Sequence, residues 1–394
     1  MEKIVYVDNN ATTRVAPEVF EAMKPFLTAE YGNPSSMHTF GGKIRKYIDK
    51  AREEVAELLG ANDPAEIIFT SGGTESDSTA IMGTLRSYPE KKHIITTKVE
   101  HSAVLNLCKY LESIGYRVTY LGVDNQGLID LNELKSAIDQ DTAIISIMYA
   151  NNETGVIFPI EEIAEIARTR GVVLHTDAVQ AVGKIPFKLT ALPVDLLSLS
   201  GHKLHAPKGV GALYVRKGTR FTPFLMGGHQ EFGRRAGTEN VAGIVGLGVA
   251  CELAMQHLTE EMNRIRNLRD KLERAILEKI PNTRINGHPQ LRLPNTTNIG
   301  FEFIEGEAIL LMLDGKGICA SSGSACTSGS LTPSHVLRAM GVPFTFIQGS
   351  IRFSLSRYNS EEEIDYIIEN LPPIIQRLRE ISPYGKAKDM VRAK

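Results

Sequence analysis

VVLHTDAVQAVGKIPFKLTALPVDLLSLSGHKLHAPKGVGALYV, residues 172–215, decides the fold. Three short apolar runs stand in it, Val172–Thr176, Leu196–Leu199 and Gly211–Val215, each with the length and make-up of a buried strand. Further N-terminal, the same texture recurs at Ile67–Thr70, His93–Thr97, Arg117–Val123 and Ala143–Tyr149. Amphipathic stretches lie between these runs. Ile160–Arg170, for example, carries Ile160, Ile163, Ala164, Ile166 and Ala167 at helical spacing. Strand and helix alternating in this way predict a mostly parallel sheet covered by helices on both faces, so the fold class is α/β.

Beyond Gly237 the texture changes. Residues near 241 to 280 read as one long, charged helix that Pro281 ends, followed by two strand-like segments, NTTNIGFEF and GSIRFSLS. A Ser/Gly-rich stretch, SSGSACTSGS, fills 321–330, and a last helix is expected at roughly 360 to 380 before a charged tail. The expected division is a large domain over 15–257 and a smaller α+β domain over 258–394, with residues 1–14 packed on the smaller one.

Composition narrows the function classes. The 394 residues include 44 Lys plus Arg against 46 Asp plus Glu, so no basic excess of the kind a nucleic-acid binder needs is present. Hydrophobic residues at 42% and charged residues at 23% are those of a folded globular chain. No apolar run approaches the ~20 residues needed to span a bilayer. The start lacks a basic segment followed by an apolar one, so no secretory signal is expected. The four cysteines, Cys108, Cys251, Cys319 and Cys326, include no CxxC pair, which argues against a zinc ribbon or a disulfide scaffold. These features predict a cytoplasmic enzyme with no membrane or nucleic-acid partner.

No GxGxxG follows a candidate strand and no GxxxxGK[ST] occurs, so dinucleotide and P-loop readings lose their support. His202 and His205 lie three apart without acidic neighbours, a poor metal pair. Three other segments fall at the carboxyl ends of candidate strands, where open α/β sheets hold ligands. TSGGTES, 70–76, is a Gly-rich turn before a helix, suited to a phosphate but equally to a plain helix cap. HTDAVQA, 175–181, ends a strand in Asp177, and LSLSGHKLHAPKGVG, 197–211, places Lys203 in a turn. Each alone is most simply structural. Together, a lysine amine, a strand-end carboxylate and a phosphate cup are the parts pyridoxal 5′-phosphate (PLP) requires.

The wider set of motifs resembles the cysteine desulfurases, PLP enzymes of the aminotransferase-like fold type I, nearly end to end. YVDNNATT, YGNPSS, TSGGTES, VEHSAV, ANNETG, HTDAVQAVGK, SGHKLHAPKGVG, GGHQEFGRRAGTEN, SSGSACTSGS and IRFSLSRY carry the resemblance. FIEGEAILL and SACTSGSLTPSHV are most similar to its nitrogen-fixation branch. The resemblance implies that Lys203 is the Schiff-base lysine and that Asp177 pairs with the ring nitrogen. It places Gln180 at the ring hydroxyl, His101 stacked on the ring, and Gly73, Thr74, Ser200 and His202 at the phosphate. Asn152, beside the cofactor, and Arg352 would bind the substrate carboxylate, with Asn33 near. Thr238 would reach the phosphate in the neighbouring subunit of a homodimer.

Cys326 would be the nucleophile that takes sulfur from L-cysteine as a persulfide, releasing L-alanine, with His101 or Lys203 moving protons. The acceptor implied is an iron–sulfur scaffold protein such as NifU, serving nitrogenase clusters, with general iron–sulfur assembly as the other destination the sequence leaves open. Cys319, Cys108 and Cys251 are expected to be buried packing residues. Much of the family has Ala or Cys where this chain has Gly72 or Gly73, a loss of bulk only. The alternatives are a selenocysteine lyase, another fold type I aminotransferase-like enzyme, and a degenerate dimer that only binds partners.

Overall fold

The computed structural model describes residues 4–322 and 333–382. Seven strands form the main sheet, in the order Ile67–Thr70, Gly211–Val215, Leu196–Ser200, Val173–Asp177, Thr142–Ser146, His93–Thr97 and Arg117–Leu121. Only Gly211–Val215 runs against the rest. The expected α/β class holds, and the strands lie within a few residues of the apolar runs. The central strands are buried along their whole length, which is why they read as continuous apolar runs. Helices cover both faces and close one core of aliphatic side chains on each.

A second core gathers around a three-stranded antiparallel sheet, Ser350–Ser354, Thr296–Phe301 and Thr283–Ile285. Val5 and Val7 belong to it, and Val5–Tyr6 pairs in parallel with Ile318–Cys319. One helix, Val241–Lys279, serves both cores. Its first half buries Ile244, Leu247, Ala250 and Cys251 in the first, its second half Ile265, Leu268, Leu272 and Ile276 in the second. That helix holds an apolar window long enough to cross a bilayer, half of it buried in the protein. The hydropathy there comes from a packing face. Gly248 lies so close to the helix Arg45–Leu59 that an added Cβ would stand 2.7 Å from Ala51 Cα. Val336, Leu337, Met340, Val342 and Ile347 pack in the first core despite their position late in the chain.

Cys108 and Cys251 are buried as expected, whereas Cys319 is only partly covered, because its two-residue strand lies at the edge of the second core. Cys326, the stretch 323–332 and the charged tail from 383 lie outside the described residues.

The strand Ile67–Thr70, which leads into the phosphate-type turn, is fixed from behind by a buried ion pair. Arg52 meets Glu231 through two nitrogens, at 2.6 and 2.9 Å, and also donates to the Ile67 carbonyl. Glu231 in turn accepts from the Phe69 N–H. Removing one member strands a buried charge, so Arg52→Leu should destabilise the protein by about 3–5 kcal/mol, read as a lowered urea midpoint. An unchanged midpoint would mean that Glu231 finds another cation or takes up a proton.

Candidate active site

At the carboxyl end of Ile67–Thr70 the chain turns sharply into the helix Gly73–Ser87. Gly72 makes the turn at φ +150° and ψ −174°, a conformation open to glycine alone. Gly211 passes so close that a Cβ on it would stand 2.7 Å from Gly72 Cα. Gly73 is less constrained, since an added Cβ would meet side chains alone, Val179 Cγ2 at 3.0 Å and Ser200 Cβ at 3.6 Å. The first-turn N–H groups of this helix have no carbonyl of their own helix to reach, and Gly73 and Thr74 of that turn line a cavity.

That cavity, about 320 Å³, brings together ten of the residues singled out from sequence: Gly73, Thr74, His101, Asn152, Asp177, Gln180, Ser200, His202, Lys203 and Arg352. Asn33 and Thr238 are exposed and do not line it. Asn10, Ala11, Asp77, Met148, Ala150 and Val179 line it without having been foreseen. Asp77 had a signal, since it stands one helical turn beyond Gly73 and Thr74 and so shares their face.

Asp177 ends its strand and accepts the Val179 N–H at 2.9 Å. Burial pushes its carboxyl above the usual range, while nearby His101, that N–H and the Lys203 amine pull it back. Asp77, completely enclosed, is held well above the ordinary carboxylate range by burial and by Asp177. Glu100, behind His101, is pushed up to about 8 by burial, though it accepts from the Met148 N–H and the Thr97 hydroxyl. His101 caps the helix Ser102–Ser113 by accepting the Ala103 N–H at Nδ1, so a neutral ring carries its proton on Nε2.

The N-terminal segment supplies most of the remaining polar partners. Lys203 Nζ donates to the carbonyls of Asn10 and Ala11, each at 2.6 Å. His202 and His205 spend Nδ1 on Thr12 and Arg14, and burial takes both down to about 4. Arg352, on the strand Ser350–Ser354, reaches across from the second core. It donates to the Asn152 carbonyl at 2.9 Å and meets Asp8 at 2.6 Å. Its buried Nε and the buried Asp77 Oδ1 find no hydrogen-bond partner among the described residues.

These features fit PLP. An amine, a strand-end carboxylate and a helix N-terminus line one cavity together with Arg352, whose buried Nε has no hydrogen-bond partner among the described residues. Residues 5–367 match the Aminotransferase class-V family. The chain belongs to that family, and within it to the cysteine desulfurases.

It is 63% identical over 382 residues to Cysteine desulfurase 2 of Trichormus variabilis, covering 97% of this chain and 96% of that protein. It is 59% identical over 380 residues to Cysteine desulfurase NifS of Azotobacter vinelandii, covering 96% and 94%. A solved NifS-like protein superposes with a TM-score of 0.90 at 43% identity, covering 95% of this chain and all of the other. The cofactor of the family is PLP, and the chain is an enzyme that takes sulfur from cysteine.

Proposed function

We propose that the cavity holds PLP and L-cysteine, that Cys326 receives the sulfur as a persulfide, and that an iron–sulfur scaffold protein such as NifU takes it onward to nitrogenase clusters. The observation carrying this reading is that Lys203, Asp177 and Arg352 line one cavity. PLP, when bound, supplies an electron sink that loosens the substrate Cα–H and Cβ–S bonds. Lys203 is the Schiff-base lysine, and its amine takes the proton at the substrate Cα. Asp177 keeps a proton on the ring nitrogen, and Gln180 donates to the ring hydroxyl. His101 covers the ring face, while Gly73, Thr74, Ser200 and His202 hold the phosphate. Arg352, through its unsatisfied Nε, and Asn152 fix the substrate carboxylate.

The Cys326 thiolate attacks the substrate sulfur. An S–S bond forms and the Cβ–S bond breaks, its electron pair leaving with the three-carbon fragment that is released, once protonated, as L-alanine. Both ends of the stretch carrying Cys326 are tied to the cavity wall. Ser321 exchanges both backbone hydrogen bonds with Arg352, and the Ser334 hydroxyl donates to Glu153, next to Asn152. Cys326 is four residues from Ser322, at most about 14 Å of extended chain.

A homodimer in the cytoplasm completes the reading. Exposed Phe20, Leu27, Tyr31, Met37, Met226 and Phe232 form the apolar surface for a second copy. Thr238, exposed near them in sequence, reaches the phosphate in the partner, and Asn33 belongs to the same surface. The large domain covers 15–257 and the small one 258–394 with 1–14, the boundary falling inside the helix Val241–Lys279.

The test is L-alanine formed from L-cysteine with a reductant present, by the natural protein and by Cys326→Ala. Alanine from the natural protein alone, with PLP retained in both, is the expected result. Alanine from both would make Cys326 dispensable for C–S cleavage and favour a lyase reaction. A yellow protein that makes none would exclude L-cysteine as the substrate.

A further inference from the structure

Lys184 closes the motif HTDAVQAVGK, yet nothing in the reaction above uses it. It follows Gln180 by four residues in the tight turns after Val173–Asp177, where the Ala178 and Ala181 carbonyls accept from successive N–H groups. Those turns bring the two side chains together. Lys184 Nζ donates to Gln180 Oε1 at 2.6 Å and to Asn10 Oδ1 at 3.3 Å. At its other end the Gln180 amide donates from Nε2 to the Asn10 carbonyl at 3.0 Å.

An amide group has two faces of opposite hydrogen-bonding character, and its orientation follows from its partners. Here one partner is a carbonyl oxygen that can only accept, and the other is an amine that donates. Both require the same orientation. Gln180 is therefore left with a single N–H to offer the cavity, and its carbonyl oxygen is occupied elsewhere.

We propose that Lys184 is a positioning residue: by holding Gln180 Oε1 it prevents the amide from flipping, so that Gln180 can only donate to a ligand oxygen and favours the anionic form of an aromatic hydroxyl. The inference rests on the reading that this cavity holds PLP with its ring hydroxyl near Gln180. The charged groups acting on Lys184 are Lys203 and Arg352, which oppose its charge, and Glu261, which favours it. Burial first, then Lys203 and Arg352, take the amine down to about 7 against the opposing pull of Glu261. Protonated or neutral, it keeps N–H groups with which to hold Oε1.

The experiment follows the visible absorption of the lysine-linked cofactor against pH, without substrate, in the natural protein, Lys184→Met, Gln180→Leu and the double variant. A donor to the ring oxygen drains the charge that keeps the linkage protonated, so losing the donor moves the transition up. Lys184→Met and Gln180→Leu should each raise the midpoint by about one pH unit, and the double variant should rise no further than Gln180→Leu alone.

An unshifted midpoint in Lys184→Met overturns the proposal. So does a full additional shift when Lys184→Met is added to Gln180→Leu, because the lysine would then act through its own charge. Should Lys184→Met fold poorly, Gln180→Leu alone retains the test: an unshifted midpoint there also overturns the proposal. A natural protein that binds no cofactor overturns the PLP reading and this inference together, and differs from the other failures in having no visible band at all.

Discussion

Lys203→Ala should lower alanine formation from L-cysteine by about 10⁴-fold, the scale of a lost general base whose amine also carries the cofactor. Two main-chain carbonyls, those of Asn10 and Ala11, hold the amine at 2.6 Å, so it meets the cavity from a fixed side. Among the described residues no other lysine lines the cavity. Lys184 is already committed to Gln180 and Asn10. PLP should still bind, through Asp177 and the helix N-terminus at Gly73, but borohydride should no longer attach it covalently. Turnover within tenfold of the natural rate would move the base to another residue, His101 first.

Asp177→Asn should cost about 10²–10³-fold in turnover, because in the proposed arrangement it would remove the charge that keeps the ring nitrogen protonated. Asparagine keeps the shape and can still accept the Val179 N–H, so the fold should survive. Stability of the cofactor-free protein should move the other way. A carboxyl raised by burial contributes stability while protonated, fully below its ordinary range, and loses it as pH rises through its raised native value. At pH 7 to 8 the cofactor-free Asp177→Asn protein should therefore be no less stable than the natural one in urea. A lowered midpoint would mean that the carboxylate is paired in the cofactor-free state.

The contrast between what the sequence reveals and what it conceals follows the chemistry of each group. Ile67–Thr70, His93–Thr97 and Gly211–Val215 are legible to the residue because turn residues bound a run buried on both sides. Elsewhere Arg117–Val123 and Ala143–Tyr149 overrun the ladder, since apolar character continues past the last strand pairing. Asp177, Lys203 and Arg352 are legible because a strand-end carboxylate, a lysine in a turn and a guanidinium each imply a specific chemistry. Asp8 is not, because its partner Arg352 lies 344 residues away. The helix Val241–Lys279 reads as charged because its second half is, although its composition also holds an apolar window long enough to cross a bilayer, which packing of its first half in the first core accounts for.

The grip on the Lys203 amine has a genetic consequence. Its holders are peptide oxygens, and every amino acid placed at position 11 would bring the same oxygen. A complete substitution library could thus leave the Ala11 contact intact in every clone and score the site as a matter of side-chain size. The contact could be exposed only by altering the path of the main chain itself, through a one-residue deletion or insertion between Asp8 and Thr13, or an ester in place of the amide there. The lysine's surroundings are therefore protected against point mutation and vulnerable to changes in length.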